Sequence, residues 1–497
     1  MQPLELAKFF LTKSQIQKII SFEHLKLKNL SVGELGKILG TTKRKTKEII
    51  NSLSEEMNVF LPNVSSKLKV ENEKILFVPE LKESEYVEIS IRQREAYLSE
   101  SSLFQVLLFV LENRKFSILQ LSRALSYSES YSYKLYGKLI NLLNFMDLGI
   151  YLGKENDTFF QLQGDESCIR ILHFLCVSGA SKGNRWFFTN ISEKEILDVQ
   201  SYVHFELYDN LSPIGKNRVN YMLAVYELAL KNGYKLANLD ENALEIGNAI
   251  NREKEIGLYL KYLREETKRI DVSLHDELIQ LAFLLNYYLQ ELRTDKEKAK
   301  LGEALFSIKD NKIVDSCKLV LNGISKKYNV SMDLYFLLLY SLCNRMVVIH
   351  YMGLFNFMDF YRMPPISKQM AMSIEECLEE GLDAYKTEPS FSKVKHSFAQ
   401  FLAGYLALLQ PKSQKIYLEF FHRPEYTSIL SNAIKHNYNK KVLQVTQNYS
   451  EADIVISDTF DYDGKEFFHF KDIFDKESWR QLGFFLNEII IDKDLSR

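Results

Sequence analysis

The stretch Leu30–Leu53, LSVGELGKILGTTKRKTKEIINSL, limits what this chain can fold into more than any other. Ser31 can cap a short helix whose apolar residues Val32, Leu35, Ile38 and Leu39 keep helical spacing. Gly40 then predicts a tight turn, since the position calls for a positive φ, which glycine adopts without steric cost. Thr41 or Thr42 starts a second helix that directs Ile49, Ile50 and Leu53 inward and Lys43, Arg44 and Lys47 outward. With a preceding helix over about Thr12–Leu25, the spacing predicts a three-helix helix-turn-helix core.

Three β-prone runs follow at Asn58–Leu61, Lys67–Val70 and Lys74–Val78, with Asn63 and Asn72 between them. They predict a wing on which Lys67 and Lys69 can rest on phosphates. A TKRKTK run by itself suits a solvated helix face; the helix-turn-helix spacing and the wing favour a groove-reading helix. Thr42, Lys43, Arg44, Lys45 and Lys47 are its candidate contacts with double-stranded DNA, arginine being best suited to guanine edges.

The charge balance agrees with that reading. Residues 1–82 carry fourteen Lys/Arg against nine glutamates, an excess of five positive charges; the whole chain is −2, so the remainder is −7. A basic end on an acidic body suits a nucleic-acid reader joined to protein-facing machinery. At 497 residues, 46% apolar and 26% charged, the chain predicts several globular domains rather than one core. No uninterrupted apolar run reaches the ~18 residues of a membrane span and Met1–Phe10 lacks a signal-peptide layout, so a cytoplasmic protein is expected. Cys168, Cys176, Cys317, Cys343 and Cys377 fall in apolar helical patterns without zinc-type spacing, which predicts buried, reduced thiols.

Residues 87–163 repeat the plan. A helix over Ser101–Asn113 precedes a short helix at Ser117–Leu125, a turn at Ser126–Tyr127 and a second helix at Ser128–Met146. A hairpin pairing Gly149–Leu152 with Thr158–Leu162 closes this second winged helix-turn-helix. Its outer face holds Ser130, Tyr131, Tyr133, Lys134 and Lys138. Ser130, Tyr131 and Lys134 are candidate DNA contacts, although tyrosines at helical spacing also serve as packing residues.

From Gly164 to about Gln410 the pattern is amphipathic helix, with buried stretches at Cys168–Val177, Val219–Leu230, Leu278–Leu292, Leu334–Met346 and Phe398–Leu409. His275–Gln290 and His396–Gln410 are weakly alike: each places a histidine just ahead of a helix framed by Gln280/Gln290 or Gln400/Gln410. That suggests two related bundles. His204, His275 and His396 are candidate phosphoryl acceptors, against the ordinary reading of surface or core histidines. No segment forms a Gly-rich phosphate loop, a nucleophile elbow or a metal cluster, so no enzyme, catalytic residue, cofactor or metal is expected.

Beyond Gln410 the pattern alternates: strand Lys415–Phe421, helix Pro424–Asn437, strands Lys441–Thr446, Ala452–Ser457 and Glu466–Phe470, and helix Lys476–Ile489. This predicts a small, mainly parallel sheet, with His422-Arg423-Pro424 at its customary ligand position.

In this order the segments resemble the Mga/AtxA-type virulence regulators of Gram-positive bacteria. SVGELGKILGTTKRKTKEII, the LQGDESCIRILHFL junction and the KIYLEFF, KKVLQV and ADIVISD ending carry the likeness. The resemblance implies a mainly α, multidomain chain. Its parts would be winged helix-turn-helix domains at 1–82 and 83–164, all-α phosphotransferase-regulation (PRD) domains at 165–295 and 296–410, and an enzyme IIB-like α/β domain at 411–497. It further implies a DNA-binding activator, dimerising through its C-terminal region and tuned by histidine phosphorylation from HPr or other phosphocarriers. The sequence departs from the wider pattern in three places. NYMLAVYELA within Arg218–Leu236 lacks the expected histidine, His275 falls just outside the companion helix Asp276–Gln290, and Phe421-His422 stands where enzyme IIB domains keep a cysteine. The alternative reading is a non-catalytic interaction scaffold of sugar phosphotransferase signalling.

Overall fold

In a computed structural model, residues 3–27, 30–60, 66–181, 185–200, 208–250, 273–360, 368–409, 413–420, 423–440, 442–459 and 465–495 are described. The fold is mainly helical, with three small sheets among these residues. Packing divides the chain into two units, Met1–Asp315 with Met332–Met363, and Ser316–Ser331 with Pro364–Arg497.

The first unit opens with helices α1 (Pro3–Phe10), α2 (Lys13–Leu27), α3 (Val32–Leu39) and α4 (Lys43–Phe60). Ser31 starts α3 with a reciprocal cap: its hydroxyl accepts from the Glu34 amide and the Glu34 carboxylate accepts from the Ser31 amide. Gly40 ends it at φ 62°, the left-handed turn expected of glycine. Thr42, rather than Thr41, begins α4, its hydroxyl accepting from the Lys45 amide at 3.3 Å. Val32, Leu35, Ile50, Leu53 and Met57 close over Phe22 and Leu25 of α2.

The strand expected at Asn58–Leu61 does not form, because α4 continues to Phe60. Ile50, Leu53 and Met57 extend the inward helical stripe, while β-prone Val59 sits on the solvated face at 77% exposure. Leu61 and Asn63 lie outside the described residues. The wing is therefore a two-stranded antiparallel hairpin, β1 (Lys67–Glu71) and β2 (Lys74–Val78), joined by Asn72 and Glu73 at φ 50° and 64°. Its turn is fastened to the start of α3: the Val32 amide donates to the Glu73 carbonyl at 2.8 Å and the Ile75 amide to the Leu30 carbonyl at 2.9 Å.

The long helix α5 (Glu83–Glu100) joins this module to the next, pairing Arg94 with Glu23 and Tyr97 with Glu56. The second module comprises α6 (Ser102–Asn113), β3 (Lys115–Ser117), α7 (Ile118–Leu125), α8 (Glu129–Met146), β4 (Tyr151–Lys154) and β5 (Phe159–Gln163). It repeats the first at a constant offset of 86 residues, visible in the pairs Ser31/Ser117, Gly40/Ser126, Thr42/Ser128 and Thr46/Ser132. Ser117 and Gln120 form the reciprocal cap, and Ser126 adopts φ 56° where the first module has glycine. The hairpin starts later than expected, pairing Tyr151–Lys154 with Phe159–Gln163, so Gly153 and Lys154 belong to the strand and not the loop. The short strand β3 completes a sheet of order β3-β5-β4.

Helices α9 (Glu166–Ser181), α10 (Glu193–Gln200), α11 (Pro213–Lys231), α12 (Glu241–Ile250), α13 (Ser273–Tyr288) and α14 (Asp295–Phe306) follow. The buried run expected at Leu278–Leu292 breaks after Tyr288 and resumes as a single turn at Gln290–Leu292. Next come α15 (Lys312–Lys327), whose last turns belong to the second unit, and α16 (Met332–Met346). The span Met332–Tyr351 is long and apolar enough to cross a membrane by composition, yet 72% of it is buried inside the protein, as in a core helix.

The second unit carries α17 (Lys368–Gly381) and α18 (Phe391–Leu409). Its sheet contains β6 (Gln414–Glu419), β7 (Leu443–Thr446), β8 (Ile454–Ser457) and β9 (Glu466–His469), flanked by α19 (Glu425–Asn437) and α20 (Lys476–Leu495). All pairings are parallel and the order is β7-β6-β8-β9, over a core of Ile416, Leu430, Ile454, Phe470 and Leu486. Arg423 is exposed at the end of β6; Phe421 and His422 lie outside the described residues. The five cysteines form no disulfide; four are buried and Cys176 is half-buried.

Candidate nucleic-acid interface

Both second helices of the modules present a capped N-terminus and an outer polar face, with the inner face locked by leucine and isoleucine. In α4 the outer residues are Lys43, Arg44, Lys45 and Lys47, all exposed, Arg44 most of all at 93%. Each is engaged with an acid of its own module. Arg44 Nε lies 3.4 Å from Glu48 and Lys45 Nζ 3.1 Å from it. Lys43 Nζ reaches Glu73 Oε2 at 3.2 Å, and Lys47 Nζ reaches Glu73 Oε1 at 3.1 Å. These bonds hold Glu73 below the usual carboxylate range, Lys47 contributing most, and Lys45 does the same for Glu48.

In the sequence the two carboxylates enter only the charge balance, not the basic pattern of α4. Glu48 was legible as an i,i+3 and i,i+4 partner of Lys45 and Arg44. Glu73 was not, because only the hairpin brings it over α4. On the wing, Lys67 and Lys69 alternate with buried Leu68 and stand on the solvated face of β1, with no carboxylate partner among the described residues.

The outer face of α8 is differently composed. Ser130, Tyr133, Lys134 and Lys138 are exposed, and neither lysine has an acidic partner among the described residues. Tyr131 serves the scaffold: its ring lies edge-on to Tyr127 at 5.3 Å and its hydroxyl meets Ser102 Oγ at 3.3 Å.

The histidines fall in separate places. His204 lies outside the described residues. His275 is the third residue of α13, not ahead of it, and its Nε2 lies 2.9 Å from Asn248 Oδ1. His396 is exposed in the second turn of α18 instead of preceding it. Each helix thus begins several residues before the apolar run that marks it in the sequence.

The second module continues directly into the helical region. Glu112, near the end of α6, is buried and accepts from the amides of Thr189 and Asn190 and the Thr189 hydroxyl at 2.8–3.1 Å; burial raises its pKa against these bonds. Arg114 Nη2 and Arg170 Nε share Glu166 Oε1, each at 3.0 Å. The end of α6 and the helical region that follows the second module are thus tied by buried charge.

No curated protein matches the chain. Residues 88–176 match the family model of the Mga helix-turn-helix domain, a span that takes in most of α5, the whole second winged module and the first turns of α9. The chain therefore carries a helix-turn-helix domain of the Mga type, and the match supports an Mga-type regulator.

Proposed function

We propose that this chain is a cytoplasmic DNA-binding transcription regulator with two winged readers of unequal role. The observation that carries this reading is the face of α8: a capped helix inside the family match, offering Ser130, Tyr133, Lys134 and Lys138, neither ammonium group paired among the described residues. Unpaired lysines can replace condensed counterions on a DNA backbone, and serine and tyrosine hydroxyls can hydrogen-bond phosphates. Arg44, Thr42 and Lys45 on α4 and Lys67 and Lys69 on β1 supply the first module's share. Titrating the chain with duplex DNA at several salt concentrations tests this. Affinity falls steeply as salt rises; absence of binding at low salt would favour the interaction-scaffold reading.

In this reading the helical regions act as PRD-type regulatory domains, the C-terminal α/β domain as an enzyme IIB-like homodimerisation module, and the whole as an activator of virulence or carbohydrate-responsive genes. His275 and His396 are the described candidates for phosphoryl transfer from HPr. Incubation with labelled phosphoenolpyruvate, enzyme I and HPr decides this; unlabelled histidines would end it.

A further inference from the structure

We propose that Glu73 is an internal competitor for the DNA backbone: its carboxylate occupies Lys43 and Lys47, and a phosphate must displace it before the first module engages. The proposal rests on the DNA-binding reading above. Its basis is how the carboxylate is held. One oxygen faces each lysine, Oε2 to Lys43 at 3.2 Å and Oε1 to Lys47 at 3.1 Å. Lys43 and Lys47 are one helical turn apart, so the pair of oxygens spans them as two non-bridging phosphate oxygens would.

The backbone aims this group. Glu73 occupies the second position of a two-residue turn at φ 64°, an unusual conformation for a residue with a side chain, and its carbonyl is fixed by the Val32 amide at 2.8 Å. The neighbouring Lys74 bridges to Ser31. Glu73 is thereby anchored to the start of α3, directly across from the start of α4. The Lys43, Glu73 and Lys47 side chains are 68%, 48% and 47% exposed, so the ion pairs are weak and water-accessible, and a phosphate can compete for the lysines.

The second module has no counterpart among the described residues. At the 86-residue offset, Lys43 and Lys47 become Glu129 and Tyr133, and the lysines of α8 have no acidic partner among the described residues. Lys43 and Lys47 therefore add little indiscriminate backbone attraction; they engage where contacts to the duplex repay the exchange, and the unclamped lysines supply the salt-sensitive hold.

The test uses the full chain and a fluorescein-labelled duplex of random sequence, titrated by anisotropy from about 50 to 200 mM salt. Wild type is compared with Glu73→Gln, Glu73→Asp, Lys43→Ala with Lys47→Ala, and the triple variant combining Glu73→Gln with both alanines. Glu73→Gln is expected to bind about 3- to 10-fold tighter at low salt, with the slope of log K against log salt steeper by about one. Glu73→Asp keeps the charge but shortens the reach, and is expected to fall between wild type and Glu73→Gln; this separates the clamp from net charge. The gain vanishes in the background lacking both lysines. Unchanged or weaker binding by Glu73→Gln, or an equal gain without the lysines, overturns the proposal while leaving DNA binding intact. Absence of binding by every form overturns both.

Discussion

Arg170 and Glu277, 107 residues apart in sequence and each about 1% exposed, meet in a two-pronged ion pair: Nη1 to Oε2 at 2.5 Å and Nη2 to Oε1 at 3.3 Å. Further polar partners surround the pair. Arg170 Nε donates to Glu166, Nη2 also donates to the Tyr234 carbonyl, and the guanidinium stacks 4.5 Å over the Tyr226 ring. Glu277 accepts further from the Leu236 amide at 2.6 Å. Through Glu166 the cluster extends to Arg114, at the end of α6 in the matched winged module.

Removing one partner strands the other in an apolar interior. Glu277→Ala is expected to cost about 3–5 kcal/mol, the range for breaking a buried ion pair. Replacing both partners with apolar residues of similar volume is expected to recover much of that loss, because no charge is then buried alone. Urea denaturation measures both; a midpoint unmoved by Glu277→Ala would show that Arg170 finds another partner.

His173 gives the protein an acid sensitivity. Burial first, and the Arg114 charge second, push its pKa down from 6.5 to about 3, so the folded state keeps the ring neutral. The unfolded chain binds the proton first. Stability from this group is therefore complete above pH 6.5 and is lost as pH falls towards 3, at about 1.4 kcal/mol per unit. Glu112 acts oppositely: burial raises its pKa, so it favours the folded state as pH falls. His173→Phe, which retains ring packing against Phe188, is expected to flatten the urea midpoint between pH 7 and about 5.5. A wild-type midpoint already flat in that range would refute the assignment.

Much of this architecture was readable because it follows local rules. The Ser31 cap, the Gly40 turn and the Lys67–Val78 hairpin each depend on residues within a few positions, and all form where the spacing places them. Failures came where distant packing decides. Asn58–Phe60 has strand propensity but continues α4, since Met57 already belongs to the buried stripe. Strand β3 is only three residues, and exists because Phe116 pairs with Phe160. Of the interface, the cations were legible as a pattern; the Glu73 clamp required the turn at φ 64° to swing it over α4.

Two glycines are needed for opposite reasons. A Cβ at Gly302 of α14 would lie 1.8 Å from the Phe336 carbonyl oxygen of α16, a backbone atom that no rotamer change can clear. Gly302→Ala must push the helices apart, and is expected to cost 3 kcal/mol or more, at or above the ~1–3 kcal/mol usual for overpacking. At Gly40 a Cβ meets nothing within 4 Å, but φ is 62°. Gly40→Ala is therefore expected to cost only about 1–2 kcal/mol, the strain of a left-handed residue. Thermal or urea unfolding ranks the two, and the reverse order would contradict this packing.

The two readers are separable by their arginine and lysine pairs. Arg44→Ala with Lys47→Ala removes the most exposed cation of α4 and one of the clamped ones; the expected loss of DNA affinity is about 1–3 kcal/mol, concentrated on preferred sequences if Arg44 pairs with a guanine edge. Lys134→Ala with Lys138→Ala removes two cations that have no acidic partner among the described residues, so no broken ion pair offsets their loss. Binding is expected to weaken evenly across sequences, with the salt slope shallower by about two. Neither pair touches the buried faces of α4 or α8, so unfolding midpoints should stay within about 0.5 kcal/mol of wild type. If the α4 variant retains full affinity while the α8 variant loses it, reading belongs to the second winged module, the one inside the family match.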